Sequence, residues 1–191
     1  DLSGLNILDI GCGGGILSES LAEEGANVVA IDRSEKIIGV AKTHQQESGS
    51  SVDYRVQSAK DLTAEAPGSF DAVVAMEVLE HVADVPTFLG ECAQLVKPGG
   101  HFFFATLNRT PKSWLFAIVG AEYILGWLPR GTHEYHKFIR PSDLRRDLRH
   151  VGISVKSIAG MSYVPLENDW TLSRDTSVNY LGVGILDPGR S

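Results

Sequence analysis

Short apolar runs alternate along the first part of the chain with stretches whose apolar residues recur at helical spacing. Leu5–Ile10 is a near-continuous apolar run ending in glycines, the profile of a strand buried on both faces. Ile16–Glu24 carries a helical pattern closed by Gly25. Asn27–Ile31 reads as a second strand ending at Asp32, and Ser34 is placed to cap a helix over Glu35–Glu47. Val52–Val56 alternates in polarity as a third strand, and Phe70–Met76 is a fourth. Val85–Leu95 predicts a helix, Lys97-Pro98-Gly99-Gly100 a turn, and His101–Leu107 a phenylalanine-rich fifth strand. The rhythm breaks over residues 109–140, then resumes with a helix at Pro141–His150, a strand at Ile153–Ile158 and a last strand near Ser177–Gly182.

Strand and helix in alternation mean βαβ units and a parallel sheet. Right-handed crossovers place helices on both faces of it. The expected fold is therefore α/β, a Rossmann-like, seven-stranded, mostly parallel sheet. It forms a single domain over residues 1–191, with an insertion at about 109–140.

Composition narrows the partners. The chain has 191 residues, 43% of them hydrophobic and 21% charged, which suits one globular core. A net charge of −7 argues against nucleic acid, which needs a basic face, but leaves room for a local basic patch on an anionic membrane. Cys12 and Cys92 are too far apart in sequence for a metal-type pair and suggest no disulfide framework, so a reducing compartment is expected. No signal peptide is visible, and the chain opens on Asp1 without an initiator methionine, as a processed or cropped chain would.

The chemistry begins at Asp9-Ile10-Gly11-Cys12-Gly13-Gly14-Gly15. A strand running into glycines and then a helix is a nucleotide cradle, because glycine admits close backbone approach and the helix offers free N–H groups. Asp32, at the end of the second strand, can accept hydrogen bonds from both hydroxyls of a ribose. The dinucleotide pattern G-x-G-x-x-G would need glycine at position 16, where Ile16 stands. The Asp9 carboxylate would serve a pyrophosphate poorly, and a cofactor carrying an amino group and a sulfonium well.

Leu8–Gly15, Phe70-Asp71-Ala72-Val73-Val74 and Leu95–Gly100 together resemble the class I S-adenosylmethionine-dependent methyltransferases. The resemblance implies that Gly11 and Asp32 contact the cofactor, together with the loop residues Asp9, Cys12 and Gly13 and with Arg33 beside Asp32. It places Met76 against the methionine or adenosine portion, and Ser58 and Ala59 near the adenine.

Glu77-Val78-Leu79-Glu80-His81 follows the fourth strand at its carboxyl end, where open α/β sheets bind ligands. If these residues are helical, Glu77, Glu80 and His81 share one face and can bind magnesium, manganese or zinc. Ionising a phenol at pH 7 costs roughly 4 kcal/mol, given its pKa near 10. A divalent cation on a catechol's oxygens would offset much of that cost. His81 as a direct general base is the competing chemistry, and capping of a short helix is the plain structural reading.

Ser113–Leu128 is apolar around most of its circumference but short for a bilayer span, with Trp114 and Trp127 near its ends and Arg109, Lys112, Arg130 and Lys137 around it. That suits a helix lying in a membrane interface, a lid packed on the domain, or a dimer contact. Asn108-Arg109-Thr110, Val119–Leu125, Pro129–His133, Lys137–Pro141 and Val178-Asn179-Tyr180 resemble the ubiquinone-biosynthesis O-methyltransferases. That resemblance covers about residues 5–182. It implies methylation of catechol hydroxyls on polyprenylated precursors, magnesium as the metal at Glu77, Glu80 and His81, and His133 facing the substrate. It also implies peripheral attachment to membrane lipids, on the cytoplasmic face in bacteria or the matrix face of the mitochondrial inner membrane. Other ubiquinone-biosynthesis proteins are expected as partners, and nucleic acid is not. The family carries a segment upstream of the first strand, including a cofactor-contacting arginine, so the site of this chain is expected to be more open. The alternatives are a non-catalytic cofactor- or lipid-binding scaffold, a methyltransferase for another small phenol, and a nicotinamide oxidoreductase.

Overall fold

A computed structural model describes residues 1–113, 135–164 and 169–189. Its strands are β1 (Asn6–Ile10), β2 (Asn27–Asp32), β3 (Asp53–Val56), β4 (Phe70–Met76), β5 (Val96–Leu107), β6 (Ile153–Val164), β7 (Asp169–Ser173) and β8 (Asn179–Leu186). The helices are α1 (Ile16–Glu23), α2 (Glu35–Ser48), α3 (Ala59–Glu65), α4 (Val85–Leu95), the single turn α5 (Pro111–Ser113) and α6 (Pro141–His150). Most of the expected insertion, residues 114–134, lies outside the described residues, and so does His133.

The strands form one sheet in the order β3-β2-β1-β4-β5-β8-β6-β7. The first five are parallel, while β8 runs antiparallel between β5 and β6. Strand order reverses between β1 and β4, which opens a crevice at their carboxyl ends. The sheet has 8 strands, one more than the pattern predicts. The addition, β7, pairs only with the far end of β6, from Gly160↔Ser173 to Val164↔Asp169. Its half-polar sequence gives no buried alternation to read. Helix α3 is also absent from the apolar pattern, because so short a helix buries only Ala59 and Leu62.

Successive residues of the inner strands feed opposite faces, and both faces are covered. On one, Leu8, Val73, Phe102 and Phe104 pack against Leu62, Leu89, Leu95 and Leu144 of α3, α4 and α6. On the other, Ile7, Val28, Ala30 and Val74 meet Ile38 and Ala41 of α2. Phe102 and Phe104 are fully buried, each contributing about 2–3 kcal/mol of transfer free energy. Local signals set the helix ends. The Ser34, Ser58 and Asp84 side chains accept from the N–H groups of Ile37, Asp61 and Thr87, and Gly49 closes α2 in the left-handed region.

Beyond the parallel strands, Tyr180 ties the two halves together. It pairs with Thr106 across β5 and β8, stacks edge-on to Phe104, and donates its hydroxyl to the Ile139 carbonyl at 3.0 Å. Replacing Tyr180 by Phe leaves that buried carbonyl without the donor and should lower unfolding free energy by about 1–2 kcal/mol. Urea denaturation measures this, and an unchanged midpoint would contradict the assignment.

Candidate active site

Strand β1 ends at Ile10, and the chain must turn back into α1 without filling the crevice. Gly11, Gly13 and Gly15 do this with φ of 71°, 55° and 87°. The N–H groups of Gly11 and Cys12 both donate to the Ile31 carbonyl, at 2.8 and 3.1 Å, so the turn is pinned to β2. A side chain at position 11 would strike Val78, and one at position 15 would strike the Tyr54 hydroxyl. Those two positions therefore demand glycine for space as well as for backbone angle.

Asp9 points away from the open crevice. It is 2% exposed and accepts a 2.6 Å hydrogen bond from the Ser18 hydroxyl of α1. Burial pushes its carboxyl up to about 6, with the Ser18 bond acting against the rise. Cys12 is a buried thiol pushed up to about 12 by burial and by Asp9 and Asp32, so it is no nucleophile at neutral pH.

A cavity of about 540 Å³ opens at the carboxyl ends of β1, β2 and β4. Five of the nine residues expected to hold the cofactor line it: Gly11, Asp32, Arg33, Ser58 and Ala59. Asp32 gives one oxygen to the Ser34 N–H at 2.8 Å, and its second oxygen remains for a ligand hydroxyl. Ser58 caps α3 at the same time, which ties the cavity wall to the start of a helix. Ile10, Ile31, Gln57 and Phe88 also line the cavity. Sequence reasoning missed these four, since Ile10, Ile31 and Phe88 are indistinguishable from core and Gln57 from an ordinary surface amide. Acidic side chains (Asp32, Asp84 and Glu91) outnumber the cationic Arg33 around this space. Such a field favours a cationic ligand and disfavours a pyrophosphate. The residues thus fit S-adenosylmethionine better than a dinucleotide.

Asp9, Cys12, Gly13 and Met76 are not on the cavity wall. Met76 instead lines a separate apolar groove of about 630 Å³, between α1 and the Lys97–Gly100 turn.

The stretch after β4 corrects the helical premise. Residues 77–84 form turns, and Glu77 takes a left-handed φ of 54°. Helical one-face spacing therefore does not apply. Glu77 and His81 line the cavity, whereas Glu80 turns inward at 3% exposure and accepts from the Thr106 hydroxyl at 2.7 Å. Its other oxygen, Oε1, is buried without a hydrogen-bond partner. The Glu77 carboxyl is pushed up to about 8 by burial and then by the negative charge of Glu80 beside it. Among the described residues, no three His, Cys, Asp or Glu side chains converge to hold a metal ion. The carboxylates come together, and His81 does not join them as a third ligand.

A glycine turn at the switch point, Asp32 at the end of β2 and an acidic cavity are the features of a class I S-adenosylmethionine-dependent methyltransferase. The comparisons with known proteins agree. A family model described as a methyltransferase domain matches residues 8–104. The magnesium protoporphyrin IX methyltransferase of Synechocystis PCC 6803, solved with bound S-adenosylhomocysteine, superimposes with a TM-score of 0.69 at 23% identity, covering 98% of this chain and 76% of that one. The ubiquinone biosynthesis O-methyltransferase of Aromatoleum aromaticum is 56% identical over 94% of this chain and 77% of its own length. That of Nitrosospira multiformis is 54% identical over 94% of this chain and 75% of its own. The chain belongs to the ubiquinone biosynthesis O-methyltransferase family.

Asp9 yields a pH prediction. An ordinary aspartate near 3.8 rises to about 6 on folding, so the folded state holds the proton more tightly. The associated stability is present below pH 4 and is lost as pH rises through about 6. Asp9→Asn should therefore be more stable than the natural protein by on the order of 3 kcal/mol at pH 7.5, and no more stable at pH 4. Urea unfolding at the two pH values measures the difference, and an equal gain at both would refute the shift.

Proposed function

We propose that this chain methylates a catechol hydroxyl of a polyprenylated ubiquinone precursor while resting on a membrane surface. The observation that carries this reading is Glu77 on the wall of the cofactor cavity with the inward-turned Glu80 beside it, one buried Glu80 oxygen being without a hydrogen-bond partner. S-adenosylmethionine supplies an electrophilic methyl on a sulfonium. Asp32 holds the ribose hydroxyls, and Ser58 and Ala59 wall the adenine. Gly11 meets the methionine end, Asp9, Cys12 and Gly13 support the loop from behind the cavity wall, and Arg33 closes the adenosine side.

Glu77 faces the cavity and accepts the proton of the acceptor hydroxyl, while Glu80 raises its appetite for that proton. His81, on the same cavity, relays the proton to solvent. The acceptor oxygen then forms a bond to the methyl carbon as the carbon–sulfur pair returns to sulfur. The products are a methyl ether and S-adenosylhomocysteine.

Two adjacent carboxylates with an unpartnered buried oxygen suit a divalent cation. Magnesium held by Glu77 and Glu80 would supply positive charge to the acceptor oxygen. A set of three ligands would need His81 to turn toward the pair.

The membrane reading rests on sequence, because nearly all of residues 113–128 lie outside the described residues. No described helix is long and apolar enough to cross a membrane. The apolar stretch with its terminal tryptophans and flanking basic residues supports peripheral binding, and the bacterial relatives favour a cytoplasmic membrane face.

Glu77→Gln and Glu80→Gln should each lower kcat by about a hundredfold or more, with S-adenosylhomocysteine affinity held within about threefold. Transfer of a labelled methyl and calorimetry measure the two quantities. Unchanged turnover in both variants would sink the carboxylate mechanism. Magnesium added after chelation should stimulate the natural protein and neither variant. Co-sedimentation with anionic vesicles should disappear when residues 113–128 are deleted. Retained binding would contradict the interfacial assignment.

A further inference from the structure

Helix α1 packs in an unusual sense. The residues it buries are Ser18 and Glu19, while Ile16 is 77% exposed. Its apolar packing comes from the half-buried Leu21 and Ala22 near its end, whereas an amphipathic helix ordinarily turns a whole apolar face inward, so polar contacts share in holding its first turns down.

Each inward polar group has a partner from a different element. Ser18 donates to Asp9 at the end of β1. Glu19 Oε2 meets His44 Nδ1 of α2 at 3.0 Å. Tyr54 of β3 is 4% exposed and donates its hydroxyl to the Gly15 carbonyl at 3.2 Å. That carbonyl also accepts from the Glu19 N–H at 2.9 Å. Gly15 is the left-handed residue at which the cofactor loop becomes α1. The Tyr54 hydroxyl stands where a side chain on residue 15 would go.

We propose that Tyr54, backed by Glu19 and His44, is a positioning unit for the cofactor loop. It fixes the Gly15 carbonyl, and with it the direction of the free N–H groups in the first turn of α1. It touches neither cofactor nor acceptor, so it sets how tightly the donor is held and not how fast the methyl moves. This role rests on the reading of the loop as the S-adenosylmethionine cradle.

Two linked groups, Glu19 and His44, feed the unit. Burial works to raise the Glu19 carboxyl, but His44 on Oε2 helps hold it below the usual range, while Oε1 is buried without a hydrogen-bond partner. His44, with 52% of its side chain exposed, is where the unit meets solvent. A surface histidine thereby reaches the cofactor loop through Glu19, although α2 itself contributes nothing to the cavity wall.

Tyr54→Phe removes only the hydroxyl, and Gly15 keeps its bond from the Glu19 N–H. The expected result is about a fivefold rise in both the KM for S-adenosylmethionine and the Kd for S-adenosylhomocysteine, with kcat at saturation unchanged. His44→Ala, at a half-exposed site where folding is safe, should give a rise in the same direction, and His44→Gln should restore most of the affinity. Thermal midpoints are recorded alongside. A lowered midpoint with KM and Kd unmoved in both variants would overturn the proposal, as would a fall in kcat with KM intact. Failure of the unsubstituted protein to bind S-adenosylhomocysteine would instead remove the cofactor reading, and this proposal with it. Equal binding by the unsubstituted protein and both variants would remove this proposal alone.

Discussion

The two hydrogen bonds from the N–H groups of Gly11 and Cys12 to the single carbonyl of Ile31 are the constraint on which the site depends. They force the chain leaving β1 to turn immediately beside the end of β2. Three left-handed glycines make that turn possible, and two of them also leave room for Val78 and Tyr54. Asp32, the next residue of β2, is thereby brought to the rim of the same cavity. If the turn loosened, the Asp32 carboxylate and the first turn of α1 would lose their common reference.

The polar groups beneath the loop come at a thermodynamic cost. Asp9 is buried with its carboxyl raised to about 6, and Glu80 keeps a buried oxygen with no partner. A core built for stability alone would hold apolar residues at such places. Both lie next to the crevice where strand order reverses. The same neighbourhood gives Glu77 a left-handed backbone and a carboxyl raised to about 8. Unfavourable features concentrated at one edge of a well-packed sheet mark that edge as the place of chemistry.

Much of this is legible in the sequence, for reasons that differ by element. The inner strands are visible because both of their faces are buried, and a short apolar run without alternation suits a strand with no solvent-facing side. Ser34 opens α2 through local capping chemistry that the sequence states directly. The glycine spacing and Asp32 identify the cofactor class because the ligand dictates them. The one-face arrangement of 77–81 is conditional on a helix that does not form, because Glu77 enters the left-handed region, which a pattern of side chains does not record. Strand β7 exists through its pairing with β6, and its own pattern is too weak to announce it. Glu19, His44 and Tyr54 escape notice because polar residues on amphipathic helices and an alternating edge strand read as surface. Only the fold brings them together under Gly15.

The chain belongs to the ubiquinone biosynthesis O-methyltransferase family, and the proposed pairing of the glycine turn with the Glu77–Glu80 carboxylates is open to a direct test. A labelled methyl group is followed from S-adenosylmethionine into a prenylated catechol carried in lipid vesicles. The expected result is one labelled methyl ether for each S-adenosylhomocysteine released. Tight binding of S-adenosylhomocysteine with no label reaching the catechol, with or without magnesium, would contradict it.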